Sequence, residues 1–327
     1  MQLRIIAPAE LAERALERLQ AAPGVFNVVH LPGVARKPSG DLIYADVTRA
    51  DTSVVMGELR ELGVPAVGTI ALDEVDTELS AVADRAAAAS EHSPFGDEVV
   101  WEAVEENTSE ETELSINFVE FFLIAGLIAA VGILSDSPIL IVAAMVVSPE
   151  FGPIAAACVA AVERRRDLAR RSLLALAVGF PLAIAISGIA TATFRYAGLA
   201  PDRVDVGHPL TAFIADPNFF SFFIAYLAGT AGMLSLTSAK SGALIGVLVS
   251  VTTIPAAANI GVAAAYLNWA DVRGATAQLA VNLIGIFLGG IARLSVQHRI
   301  FVARRARYER RRAAGAGGGV KGAGQLP

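Results

Sequence analysis

Apolar positions along this chain follow two different patterns. Up to about residue 75 they come in short runs, alternating or at helical spacing; after about residue 115 they merge into runs of roughly twenty or more. The first part predicts six elements. Residues 3–7 read as a strand. Residues 9–22 place Leu11, Ala15, Leu16 and Leu19 on one helical face, and Pro23-Gly24 ends that helix. Residues 25–31 predict a second strand closed by Pro32-Gly33, and residues 41–47 a third with Ile43, Ala45 and Val47 on one face. Asp51 is the expected N-cap of a helix carrying Val54, Val55, Leu59 and Leu62, which Gly63 ends; residues 67–72 supply the last strand. The order β-α-β-β-α-β predicts a small α+β ferredoxin-like domain over residues 1–77, with both helices on one face of an antiparallel sheet. Its use stays open between a docking or oligomerisation module and a ligand sensor, because fold does not give function.

Residues 78–115 predict an acidic linker. Between 78 and 113 there are eleven Asp/Glu against the single Arg85. Within it, Val99, Val100, Trp101 and Val104 are spaced for a short amphipathic helix over residues 97–106. Its acidity disfavours direct contact with anionic lipid.

A transmembrane domain follows over residues 116–297. About 20 apolar residues span a bilayer core, and six segments qualify: 116–134, 138–162, 172–194, 219–236, 242–267 and 275–297. The loop over 163–171 holds five arginines and the tail over 299–312 seven, whereas the other side offers only Arg195, Arg203 and Arg273. The positive-inside bias then predicts a multi-pass protein of the inner cell membrane with both termini cytoplasmic. Residues 298–327 form the basic cytoplasmic tail, flexible over 313–319. The opening Met1-Gln2-Leu3-Arg4 is not a signal-peptide pattern, so insertion is expected to depend on the later helices.

Laying the first segment over the fourth at an offset of 100 matches Phe122 with Phe222, Ala125 with Ala225 and Gly132 with Gly232; at 106, Pro149 meets Pro255 and Ile154 meets Ile260. Three spans per half would invert the second copy, so a 3+3 inverted repeat is expected, each half holding a proline-broken middle helix. The breaks fall at Ser148-Pro149-Glu150-Phe151-Gly152-Pro153 and around Thr252, Thr253, Pro255 and Asn259, with Asn282 a further polar group in the last segment. Proline removes a backbone donor and displaces a carbonyl one turn earlier. Freed backbone groups at that depth must be buried in protein or line a watery cavity. These residues are therefore the candidates for a substrate path, the alternative being a proline kink held by its neighbours. Glu150 is a cation or proton site, or, with Ser148 as cap and Pro149 at the first position, a first-turn carboxylate stabilised by the helix dipole, or a group at an exposed helix end. Gly242/Gly246 and Gly285/Gly289 are GxxxG pairs that permit close helix packing, within the chain or in a homo-oligomer.

The stretch Ala143-Ala144-Met145-Val146-Val147-Ser148-Pro149-Glu150-Phe151-Gly152-Pro153-Ile154 resembles the signature of a prokaryotic membrane family, domain-of-unknown-function family 389, or uncharacterised hydrophobic domain. Ile254-Pro255 with Gly261, and Asn282-Leu283, are similar to its later landmarks, and the likeness covers about residues 115–295. The chain departs from the family pattern at Glu150, where an apolar residue is commoner, and after Pro255, where a second proline usually follows. The resemblance implies a membrane architecture and brings no activity.

Composition narrows the function classes. At 54% hydrophobic and 18% charged, the chain is more apolar and less charged than ordinary soluble domains. Up to residue 115 there are 8 Lys/Arg against 22 Asp/Glu, and beyond it 18 against 10. The lone Cys158 allows no internal disulfide, and His30, His92, His208 and His298 all fall outside the spans with no metal-ligand spacing. Without a Walker A motif, nucleophile elbow or dinucleotide fingerprint, no catalytic residue, metal or cofactor is expected, and the chain reads as no enzyme. The basic tail lacks interleaved aromatics beyond Tyr308, so nucleic acid is not an expected partner; the lipid bilayer is. Two functions compete: a secondary transporter or channel-like protein for a small solute or ion, and a membrane-anchored sensor or scaffold.

Overall fold

The structure is a computed structural model that describes residues 1–73, 75, 80–89, 112, 114–201, 210–237 and 253–318. It divides into two units, Met1–Val104 with Phe301–Pro327, and Glu105–Ile300.

The first unit contains β1 (Gln2–Ala7), α1 (Ala9–Ala21), β2 (Val25–Arg36), β3 (Ser39–Val47), α2 (Arg49–Glu61), α3 (Val64–Val67), β4 (Thr69–Asp73) and α4 (Ala81–Ala89). The strands form one antiparallel sheet in the order β2-β3-β1-β4. Leu3 lies opposite Ala45 and Ile5 opposite Ile43. Strand alternation therefore gathers Leu3, Ile5, Ala7, Ile43, Ala45 and Val47 on one face. Ala12, Ala15 and Leu19 of α1 and Val55, Met56 and Leu59 of α2 complete that core.

Four local expectations need correction. β2 does not close at Pro32-Gly33 but runs on to Arg36. It is an edge strand, where proline forfeits no ladder bond, and Gly33 at φ 65° sits in an irregularity between Leu31 and Ala35. The Gly33 amide is not lost; it donates to Asp41 Oδ1 at 2.9 Å. The same carboxylate pairs with His30 Nε2 at 2.8 Å. Donation by the Gly33 amide first, and by His30 second, holds the Asp41 carboxyl below the usual carboxylate range. Secondly, Thr48, not Asp51, is the N-cap of α2, which starts at Arg49 and leaves Asp51 in its first turn. Thirdly, α3 occupies the start of the last predicted strand, and α4 lies inside the stretch expected as linker. Gly63, left-handed at φ 84°, separates α2 from α3 as expected of a helix stop. Fourthly, the last helix continues to Gly318, through residues expected as flexible tail.

The second unit is helical: α5 (Ile116–Leu134), α6 (Pro138–Val147), α7 (Phe151–Glu163), α8 (Arg166–Tyr196), a 3-10 turn (Ala212–Ala215), α9 (Phe219–Thr237), α10 (Thr253–Ala265) and α11 (Trp269–Gly318), whose residues from Phe301 on belong to the first unit. α5 begins where Ser115 Oγ accepts the Phe118 amide at 3.1 Å. Among the described residues, α5, α8, α9 and α11 are long and apolar enough to cross a bilayer; α6 and α7, bent by 54°, add a fifth if counted as one span. At most 44% of each long helix's most apolar stretch is buried by protein, so the remaining apolar surface needs a lipid environment. α10 coincides with the second half of the expected fifth segment.

Small residues let these helices approach closely. A Cβ on Gly261 would lie 2.2 Å from the carbonyl oxygen of Ile184, so α8 and α10 touch through their backbones. A Cβ on Gly289 would lie 2.0 Å from that of Tyr226, and one on Gly285 would lie 2.6 Å from the Cβ of Ala225. The Gly285/Gly289 seam is thus filled by α9 of the same chain. Gly242 and Gly246 lie outside the described residues, as do Thr252 and the helix expected over 97–106. At the other end of α10, the Arg195 guanidinium stacks 4.3 Å from the Tyr266 ring centre and donates to the Ala265 carbonyl. The Tyr266 hydroxyl donates to the Pro201 carbonyl at 2.6 Å. These contacts hold the C-terminal end of α10 against the end of α8.

Candidate functional site

The break between α6 and α7 follows from its residues. Pro149 offers no N–H to the carbonyl of Met145, which ends the α-helical ladder. Ser148 closes α6, its amide bonding the Ala144 carbonyl at 3.1 Å. Glu150 is the N-cap residue of α7, and Ile154 donates its amide to the Glu150 carbonyl at 3.2 Å. Ser148 therefore ends the first half-helix and does not open the second. The Glu150 side chain makes no capping bond to its own helix.

That side chain turns instead to the first residue of α10. Thr253 Oγ1 donates to Glu150 Oε1 at 2.7 Å, joining residues 103 apart in sequence. Both are buried, Glu150 at 4% exposure and Thr253 at 2%. Ser148, two residues before Glu150, is also buried at 5% exposure. Among the described residues, neither Ser148 Oγ nor Glu150 Oε2 has a hydrogen-bond partner. None of the described ion pairs includes Glu150. Buried polar atoms are normally satisfied, so this pair marks a place where the fold leaves bonding capacity for something else.

The remaining candidates surround this point unequally. Gly152 and Pro153 are buried in the first turn of α7, and Pro255 in the first turn of α10. Asn259 is buried on α10, six residues beyond Thr253 and therefore about 9 Å further along the axis. Asn282 lies on α11, where its Oδ1 accepts from Gln278 Nε2 at 3.1 Å. Sequence reasoning missed Gln278, buried with its Oε1 unpartnered among the described residues, although its four-residue spacing from Asn282 in an apolar helix was a readable signal. It also missed Gln297, whose Nε2 donates to Thr237 Oγ1 at 2.8 Å between α11 and α9. No group of three or more His, Cys, Asp or Glu among the described residues could hold a metal ion.

Several uncovered apolar helices, one of them broken around a buried carboxylate, define a multi-pass membrane protein. Residues 145–288 match the family model described as Domain of unknown function (DUF389), a span that includes the α6–α7 break and α10. This match agrees with the resemblance that the motif residues carry. An uncharacterized protein of Methanocaldococcus jannaschii, MJ0678, is similar to it at 28% identity over 171 residues, covering 52% of this chain and 50% of the relative. The chain thus spans about half the length of that curated relative. No solved structure matches.

Proposed function

We propose that the protein is a secondary transporter or channel-like protein for a small solute or ion, with its path where the two interrupted helices meet. The observation that carries this reading is the Thr253–Glu150 hydrogen bond. It brings the two expected breaks to one buried point, and such points are where broken-helix transporters bind their substrates. A passive anchor has no need for a buried carboxylate in a membrane helix, where a charge costs roughly 2.5–3.5 kcal/mol on insertion scales.

The reading includes six spans arranged as a 3+3 inverted repeat in the inner cell membrane, with both termini cytoplasmic and no enzymatic activity. Recurring contacts support the repeat. Gly179 faces the Phe122 ring in the first half, and Gly285 faces the Phe222 carbonyl in the second. Gly126 meets Ala183 just as Tyr226 meets Gly289. Each contact recurs at an offset of 100 in the first helix of the half and 106 in the last. The N-terminal unit is ferredoxin-like in this reading, supported by its sheet order and by two helices on one face.

The test is flux in proteoliposomes over a panel of common ions and metabolites, followed by Glu150→Gln and Thr253→Val on whichever solute moves. Removing a hydrogen bond to a charged group, worth about 1.5–3 kcal/mol, predicts a loss of roughly tenfold or more in each variant. Unchanged flux in both would contradict a path at the breaks. No flux of any solute, with a ligand bound by the N-terminal unit, would favour the membrane-anchored sensor.

A further inference from the structure

From the oxygens gathered at the first break, we infer that Ser148, Glu150 and Thr253 form a binding site for a monovalent alkali cation, with sodium as the probe. The inference rests on the path reading above and gives it an ion. Three features of the site select this ligand.

The donor set is all oxygen. Glu150 Oε2 and Ser148 Oγ are both at least nine-tenths buried and unpartnered among the described residues, while Thr253 Oγ1 fixes the other carboxylate oxygen from the opposite half. Hydroxyl, carboxylate and unwound-helix carbonyl oxygens are hard donors of the kind that take sodium in broken-helix membrane proteins.

The charge count is one. Glu150 is a single buried carboxylate with no Lys, Arg or His in an ion pair with it among the described residues. Among the described residues, Glu150 joins no group of three or more His, Cys, Asp or Glu. One negative charge balances a monovalent ion and leaves a divalent one uncompensated in a low-dielectric site. The direction of the local dipole also excludes an anion, because the Glu150 carboxylate stands at the N-terminal end of α7, where an anionic ligand would otherwise bind.

Finally, the ligands come from both halves. Ser148 and Glu150 lie between α6 and α7, and Thr253 begins α10. An ion held by all three would tie the breaks together, so that its arrival and departure alter how the halves pack.

The experiment uses the full-length protein purified in detergent. Its melting temperature is followed against NaCl, with choline chloride holding ionic strength constant, and binding is checked with radioactive sodium. Wild type, and Glu120→Gln as a control for loss of an acid elsewhere in the membrane unit, should show a saturable rise with sodium and none with choline. Ser148→Ala and Thr253→Val should weaken the apparent sodium affinity by roughly tenfold or more, and Glu150→Gln should abolish it. If Glu150→Gln does not fold, the other two variants carry the test. A wild type that responds to pH but not to sodium overturns the inference, as does a sodium response unchanged in the variants. Solute flux without a sodium response would sink this inference and leave the path standing. A sodium response lost in the variants, with no flux of any solute, would keep the site and sink the path.

Discussion

At the scale of single residues, two buried carboxylates are held in opposite ways. Asp41 is saturated, with the Gly33 amide at 2.9 Å and His30 at 2.8 Å. Glu150 has one hydroxyl donor and an oxygen left over. Asp41 therefore predicts a pH dependence of sheet stability. Its carboxyl lies below the ordinary range in the folded protein, so the stabilisation is present above the unfolded pKa and is lost as pH falls through the folded one. Hydrogen exchange of the Gly33 amide should be faster in Asp41→Asn than in wild type at neutral pH, and the gap should close on acidification. A gap that stays constant down to acid unfolding would mean that the carboxylate is not what secures the hairpin. Neither arrangement was legible in the sequence. Asp41 read only as the start of a strand, because the partner that defines it is a backbone amide eight residues away. Glu150 was singled out, but capping could not be separated from a tertiary role. A proline-broken helix leaves the carboxylate direction to long-range packing, and here Thr253 decides it.

At the scale of elements, the long apolar helices were the most legible part. The run over 116–134 is bounded by Ser115 and by a turn with Asp136 at φ 48°, and α5 has those limits. β2 was less so: its irregularity depends on sheet-edge position, which no local signal announces. The proline rule found the first break, yet the side to which Ser148 belongs is set by where the ladder resumes. Close helix crossings lead to a direct prediction. Gly261→Ala places its methyl 2.2 Å from the Ile184 carbonyl oxygen, and Gly289→Ala places one 2.0 Å from that of Tyr226. Neither neighbour can rotate away, because both are backbone. Overpacking of this kind costs about 1–3 kcal/mol, so each variant should melt lower in detergent than wild type. Gly198→Ala, at an exposed left-handed turn with open space around it, should carry only the cost of its φ of 68°. Equal melting of wild type and both helical variants would mean that α8–α10 and α9–α11 do not cross at these glycines.

At the scale of the whole molecule, arginine distribution and the repeat make one joint claim about orientation. Three spans per half require both ends of the membrane unit on the same side. In a background lacking Cys158, Gln2→Cys and Val320→Cys should react only from the cytoplasm and Asp205→Cys only from outside. Labelling of position 2 from outside intact cells would break the six-span topology and the inversion with it. If the topology holds, what separates a transport path from a sealed kink is water. The deciding measurement is the reaction of Ser148→Cys, in the same background, with a small membrane-impermeant thiol reagent applied to each side in turn. Ser148 is 5% exposed, so a sealed kink keeps it unreactive. A path that opens at the break predicts labelling from at least one side. Absence of labelling from both sides, in protein that still folds, would contradict the path.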